Sequence, residues 1–268
     1  MDAPDPVLLD DHRGPRLDRY AGAIEHDIVP RLLHATRAGP LPPHLLFELG
    51  AHLAERRVAE FVGLIRGNDD GAGGRYVEAL LEEGVTSEAV YLDLLAPAAR
   101  LLGRMWEEDT CDFMEVSLSL GRLQRTLRSL SHLFLAGSGP GAAPSAGCVL
   151  LTCVAGEQHT LGLLMVAEFF VREGWDVELG HPVDIAGLSA IVRGQWFDVV
   201  GFSVACDSSL GALRRDVAAV RRNSLNRGVG VMVGGRVFDQ QPGLVRRVGA
   251  DATAANAADA PRVAASLR

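Results

Sequence analysis

The segment Gly156–Gly162, GEQHTLG, holds the residue types best suited to chemistry in this chain of 268 residues. His159 sits between an apolar run, CVLLTCV, and an apolar helical stretch, LLMVAEFF. An imidazole there serves either as a hydrogen-bonding group at a helix terminus or as a metal ligand. Glu157, separated from it by Gln158, can hydrogen-bond the far ring nitrogen, which fixes the tautomer and raises the basicity of a ligating histidine. Gly156 and Gly162 leave room for a large planar group to approach the backbone. A second constellation lies upstream in RLLGRMWEEDTCDFMEV, where Trp106 and Glu115 flank two apolar stripes. Taken alone, Trp106 reads as a core corner and Glu115 as a solvated flank.

Other reactive side chains point to no catalytic set. Ser203 and Ser208 have no histidine nearby in sequence, and GFSVA places its serine inside an apolar run, where a nucleophile elbow needs a sharp turn. Cys111, Cys148, Cys153 and Cys206 show no CxxC pair and no zinc spacing, so buried reduced thiols are expected. We therefore expect a protein that is not an enzyme.

The elements that must position these residues fall into two halves. Residues 1–43 carry several prolines and scattered charges, with one helical stretch over 17–33, and read as a mobile arm. From residue 44 the apolar spacing turns helical, predicting four helices near 44–66, 74–83, 87–106 and 112–135 that form a bundle. The fourth is the clearest, with Phe113, Val116, Leu120, Leu123, Leu127, Leu130 and Phe134 at alternating spacings of three and four. AGSGPGAAPSAG, residues 136–147, reads as a linker. Over 148–268, five short apolar runs (148–154, 175–180, 197–204, 229–235 and 251–254) alternate with helical stretches near 160–173, 184–194, 208–222, 241–248 and 256–267. That alternation predicts an α/β half, a doubly wound, flavodoxin-like parallel sheet of five strands. In such sheets ligands bind outside the carboxyl ends of the strands, which singles out the loops after Val154, Val204 and Gly235.

Composition narrows the function further. The chain is 48% apolar, with 34 acidic against 26 basic residues and a net charge of −8, and no apolar run reaches the roughly 20 residues of a membrane span. Lys and Arg are not collected into a basic tract along the sequence, and no helix-turn-helix pattern stands out, so neither membrane nor direct nucleic-acid binding is expected. The acidic N-terminal segment lacks the basic start of a secretory signal, which predicts a cytoplasmic protein.

Three elements together resemble the cobalamin-binding domain of methionine synthase, of corrinoid methyl-transfer proteins and of CarH-type photoreceptors: Glu157-x-His159-x-x-Gly162, then Ser203 with Val204 in the third strand, then the Gly234-Gly235 pair ending the fourth. The resemblance implies that His159 ligates cobalt from below, and that the nucleotide tail of the cofactor runs beside Ser203 and Gly234-Gly235. It also implies that Trp106 and Glu115 cover the upper face of the corrin, as in the CarH-type cap. That cap carries a histidine after its glutamate, whereas this chain has Val116, and its Trp-to-Glu spacing is one residue shorter. Water or hydroxide on the upper face is then favoured over an adenosyl group. The whole order of elements resembles the AerR/PpaA antirepressor family of purple bacteria, which implies a light or redox sensor acting on a DNA-binding repressor of the CrtJ/PpsR type. A corrinoid methyl carrier and a haem-binding sensor of the same fold are the alternatives.

Overall fold

A computed structural model of the chain describes residues 43–136, 146–157, 160–180 and 184–268, with backbone only over 43–51. The chain divides into two units, Met1–Glu55 and Arg56–Arg268. Of the first, the described part is the start of helix α1, Pro43–Arg66. The expected arm and its helical stretch over 17–33 lie outside the described residues, as does the expected linker except at its two ends.

The second unit begins with helices whose bounds follow the periodicity. After α1 come α2 (Ala72–Glu82), α3 (Ser87–Ala89), α4 (Ala96–Glu107) and α5 (Phe113–Ala136). Thr86 caps α3, its hydroxyl accepting the Ala89 N–H at 3.1 Å. The single helix expected over 87–106 is interrupted by a π-helical segment, Val90–Leu95, between α3 and α4. Pro97 explains the widening: it has no N–H to give back to the preceding turn, and Ala96 bonds instead to the Tyr91 carbonyl five residues earlier. Val58, Phe61, Ile65, Val77, Leu94, Leu102, Leu123 and Leu127 fill the core that these helices share.

The α/β half runs β1 (Cys148–Cys153), α6 (Leu161–Arg172), β2 (Asp176–Leu179), α7 (Ile185–Gly194), β3 (Val199–Ser203), α8 (Leu210–Asn223) and β4 (Gly230–Gly234). It ends in three short helices, α9 (Arg236–Gln240), α10 (Leu244–Val248) and α11 (Ala260–Ala265). All strand pairs are parallel, in the order β2-β1-β3-β4. Among the described residues the sheet thus has four strands where five were expected. The fifth segment makes one bridge, Ala252 to Met232. The Asp251 carboxylate, at 2.7 Å, takes the Val231 N–H that a strand carbonyl would need, and the chain leaves the ladder after Ala252 accepts from Val233. The helix expected over 241–248 is likewise shorter, because Pro242 and Gly243 separate α9 from α10.

Alternate residues of β1 face opposite layers. Val149, Leu151 and Cys153 pack with α6 and α11, whereas Leu150 and Val154 pack with α7, α8 and α10. Helix α6 then serves two cores at once: Leu163, Ala167 and Phe170 face the sheet, and Leu161, Met165 and Phe169 join the helical core. An aromatic group closes that seam. The Tyr91 ring stacks on Phe134 at 4.3 Å, and Phe134 meets Phe169 edge-on at 4.8 Å. The Tyr91 hydroxyl donates to the Glu168 carboxylate, and burial together with that carboxylate raises its pKa. Arg172 lies over the Phe134 ring at 4.6 Å and pairs with Glu88 at 3.1 Å. Tyr91→Phe keeps the ring packing but leaves Glu168 without this donor, and should cost about 1–3 kcal/mol. Equilibrium urea unfolding checks it; unchanged stability would show that the seam rests on ring packing alone.

Candidate functional site

The sheet order places a topological switch point between β1 and β3, since the chain leaves β1 towards β2 on one side and returns to β3 on the other. Cys153, Ser203 and Gly234 stand side by side in register at the carboxyl ends of β1, β3 and β4. The loops singled out from the sequence therefore converge on one edge of the sheet.

Each loop is held in a way that its residue types explain. After β1 the backbone turns through Gly156, whose φ of +86° suits glycine, and the Glu157 N–H returns to the Val154 carbonyl at 3.1 Å. The Glu157 side chain is 7% exposed, and its Oε2 accepts the Ala205 N–H at 3.0 Å. This carboxylate thereby ties the loop after β1 to the loop after β3. Gln158 and His159 lie outside the described residues, and Thr160 leads directly into α6. Around Gly162 and Gly234 there is open space where a Cβ would stand. Gly235 is different. Its φ is +112°, and a Cβ there would lie 2.1 Å from the Val204 carbonyl oxygen, so only glycine fits. Val204, fully buried, donates its N–H to the Gly234 carbonyl at 2.9 Å and holds the two loops together from below.

The helical cap reaches the same edge. Trp106, near the end of α4, is 46% exposed and meets Phe113 edge-on at 6.2 Å; Phe113 is 70% exposed. A tight turn joins α4 to α5, with Asp109 at a φ of +53° and the Asp112 carboxylate capping the Glu115 N–H at 2.8 Å. Glu107 pairs with Arg236 at 2.7 Å, which brings the Trp106 end of α4 beside the Gly234-Gly235 loop. Glu115 is drawn to the first helix instead, its Oε1 taking two bonds from Arg66, at 2.6 and 2.9 Å. Trp106 and Glu115 nevertheless line one open cavity with Asp109, Cys111, Asp112 and Phe113. Val116 is partly buried, and its N–H bonds to the Asp112 carbonyl at 3.0 Å.

Sequence reasoning did not find Glu107, Arg236 or the Ala205 N–H. The first two adjoin Trp106 and Gly235 in sequence, so adjacency to predicted site residues was the available signal. Their pairing spans 129 positions and could not be read from spacing.

Two contrasts check this geometry. Gly235→Ala must move the Val204 backbone and should destabilise by about 3 kcal/mol or more, whereas Gly234→Ala should unfold within about 1 kcal/mol of the parent. Equal melting curves for the two variants would contradict the close approach. The exposed Cys206 thiol should react with Ellman's reagent well before Cys153, which is buried and whose pKa burial pushes up to about 11. Mass mapping of the labelled cysteines gives the order, and early labelling of Cys153 would mean that the edge opens readily.

Comparison with known proteins agrees with the architecture. Residues 147–264 match the family model described as B12 binding domain. Over 168 residues the chain is 32% identical to an uncharacterized 20.5 kDa protein in the bchF-crtJ intergenic region of Rhodobacter capsulatus, covering 62% of this chain and 85% of that one. Among solved structures, the monomethylamine corrinoid protein of Methanosarcina barkeri superposes with a TM-score of 0.67 at 18% identity, over 80% of this chain and 99% of that one, a likeness of fold. The bchF-crtJ intergenic region is the AerR locus, and with a B12-binding domain as its α/β half this chain belongs to the AerR/PpaA family.

Proposed function

We propose that the chain is a cobalamin-dependent light sensor that controls transcription of photosynthesis genes through a DNA-binding repressor of the CrtJ/PpsR type. The observation that carries this reading is the Trp106 end of α4, held beside the Gly234-Gly235 loop by Glu107 and Arg236. A methyl carrier must open its upper face repeatedly to a second active site, whereas a sensor can keep a bulky indole there. The relationship to the protein of the bchF-crtJ region supports the regulatory role.

The residues present fit a corrinoid. A cradle of glycines lies at the strand ends, with open space at Gly162 and Gly234 and a backbone approach at Gly235 that admits no side chain. In the proposed complex His159 would supply the cobalt ligand, and Glu157, tied to the Ala205 N–H, would hold the loop that carries it. By the resemblance, the nucleotide tail would run beside Ser203 and the Gly234-Gly235 pair. Cobalamin would supply visible absorption and, in its adenosyl form, a light-labile upper bond whose loss leaves the hydroxo or aquo form. Trp106 competes for the volume of an adenosyl group, and Val116 offers no imidazole, so the hydroxo or aquo form is favoured.

Spectra of the purified protein with hydroxocobalamin and with adenosylcobalamin, in darkness and after illumination, test the cofactor half. His159→Ala should shift the bound spectrum and lower retention on gel filtration, and Glu157→Gln should weaken binding by roughly 10–100-fold. An unchanged spectrum and unchanged retention in His159→Ala would remove that residue from the role. For the regulatory half, repressor binding to promoter DNA is measured without the protein, with the apo form and with the illuminated hydroxocobalamin form. The loaded form should lower the repressor's apparent affinity; equal binding in all three arms would overturn the proposal. Methyl transfer from a partner methyltransferase to the bound corrinoid would favour the carrier instead.

A further inference from the structure

Helix α5 leaves one face uncovered. Its core stripe runs through Leu123, Leu127, Leu130 and Phe134. Turned away from the core is a second stripe, Met114, Leu118, Gly121, Arg125 and Arg128, at alternating spacings of four and three. Met114 is 65% exposed and Leu118 50%, and both arginines are exposed. Gly121 stands in mid-helix, where glycine costs stability relative to alanine. Beyond its own helical turn no heavy atom lies within 4 Å of the place a Cβ would take, so no contact inside this chain requires a glycine there.

Charge along this face is sorted by sign. The segment before α5, EEDTCD at 107–112, holds four acidic residues. Glu107 pairs with Arg236, whereas Glu108, Asp109 and Asp112 are exposed and form no ion pair among the described residues. At the other end of the stripe Arg128 forms none among them either, and Arg125 reaches Asp70 at 3.3 Å, a carboxylate that Arg122 holds more closely at 2.7 Å. Asp112 and Arg128 are separated by about 24 Å of helix, too far to meet within one copy.

We propose that this face of α5 is a two-fold interface at which two copies of the chain pair, helix against helix and antiparallel. An axis passing between Leu118 and Gly121 sets Leu118 of each copy on Gly121 of the other, and the glycine admits a close crossing that a side chain would hold apart. The same operation lays Met114 along the stem of Arg125. It also carries Arg128 to the level of residue 111, so the arginines of each copy meet the acidic turn of the other. The order of the charges names a second copy as the occupant. Acid at the start of the helix and base further along are complementary to themselves when two such helices run antiparallel, whereas a partner of one sign would leave half of the face unmatched. Antiparallel helix dipoles favour the same arrangement. The proposal stands apart from the cofactor reading and is tested without cobalamin.

Sedimentation velocity of the full-length protein, from about 1 to about 200 μM, tests it by mass action. A reversible equilibrium of monomer and dimer is expected, weakening as salt rises from about 0.05 to about 0.5 M because the charge pairs between copies are screened. Leu118→Asp should raise the dissociation constant about tenfold or more. Gly121→Ala should melt at a higher temperature yet associate more weakly, two opposed shifts that a role within one chain would not give. Arg128→Glu should weaken association at low salt. Leu133→Asp makes the same change as Leu118→Asp at an exposed leucine outside the stripe and should leave association unchanged. Circular dichroism melting checks that every variant folds. A monomer at all concentrations, equal losses in Leu118→Asp and Leu133→Asp, or unchanged association in Gly121→Ala or Arg128→Glu would overturn the assignment.

Discussion

The structure depends on helix α6 being apolar on two sides. A helix of an ordinary doubly wound sheet buries one stripe and shows the other to water. Here Leu163, Ala167 and Phe170 pack on the sheet while Leu161, Met165 and Phe169 complete the helical core. Removing both stripes from water fixes the cap against the sheet and leaves α6 little freedom to rotate. The loop bearing His159 leads straight into this helix, with Thr160 between His159 and its first residue. The candidate ligand loop is thus attached to an element that both cores hold.

The carboxyl edge of the sheet is built by different physics. Backbone geometry sets the Gly235 corner, where the Val204 carbonyl occupies the position a side chain would need. A buried carboxylate, Glu157, joins the loops after β1 and β3 through the Ala205 N–H. The contact between Glu107 and Arg236 is of a third kind, a half-exposed ion pair, and pairs of that sort contribute little to stability. Its importance lies in position: it sits between Trp106 and the glycine pair. An edge that is rigid beneath and lightly fastened above suits a site that must admit a large ligand and then respond to it.

Around its cavity the helical cap presents acidic and aromatic residues, Glu107, Asp109, Asp112, Trp106 and Phe113. No described helix is long and apolar enough to cross a membrane.

The sequence by itself determined what depends on neighbours a few positions apart. The buried helical stripe from Leu123 to Phe134, four of the five expected strands and the glycines at Gly156 and Gly235 follow from periodic apolar spacing and from local backbone sterics, whereas Phe113 of the expected stripe is exposed. The ExHxxG pattern, the serine and the glycine pair were legible for the same reason, each sitting at the end of a predicted strand. Tertiary structure alone decided the rest. It reduced the fifth strand to one bridge, because the Asp251 side chain competes for a backbone donor. It paired Glu107 with Arg236 and Glu115 with Arg66, residues far apart along the chain. The same folding set Asp251 against Arg221 and the Glu157 carboxylate on the Ala205 N–H. Charge sums over distance in space, and a sequence lists only distance along the chain.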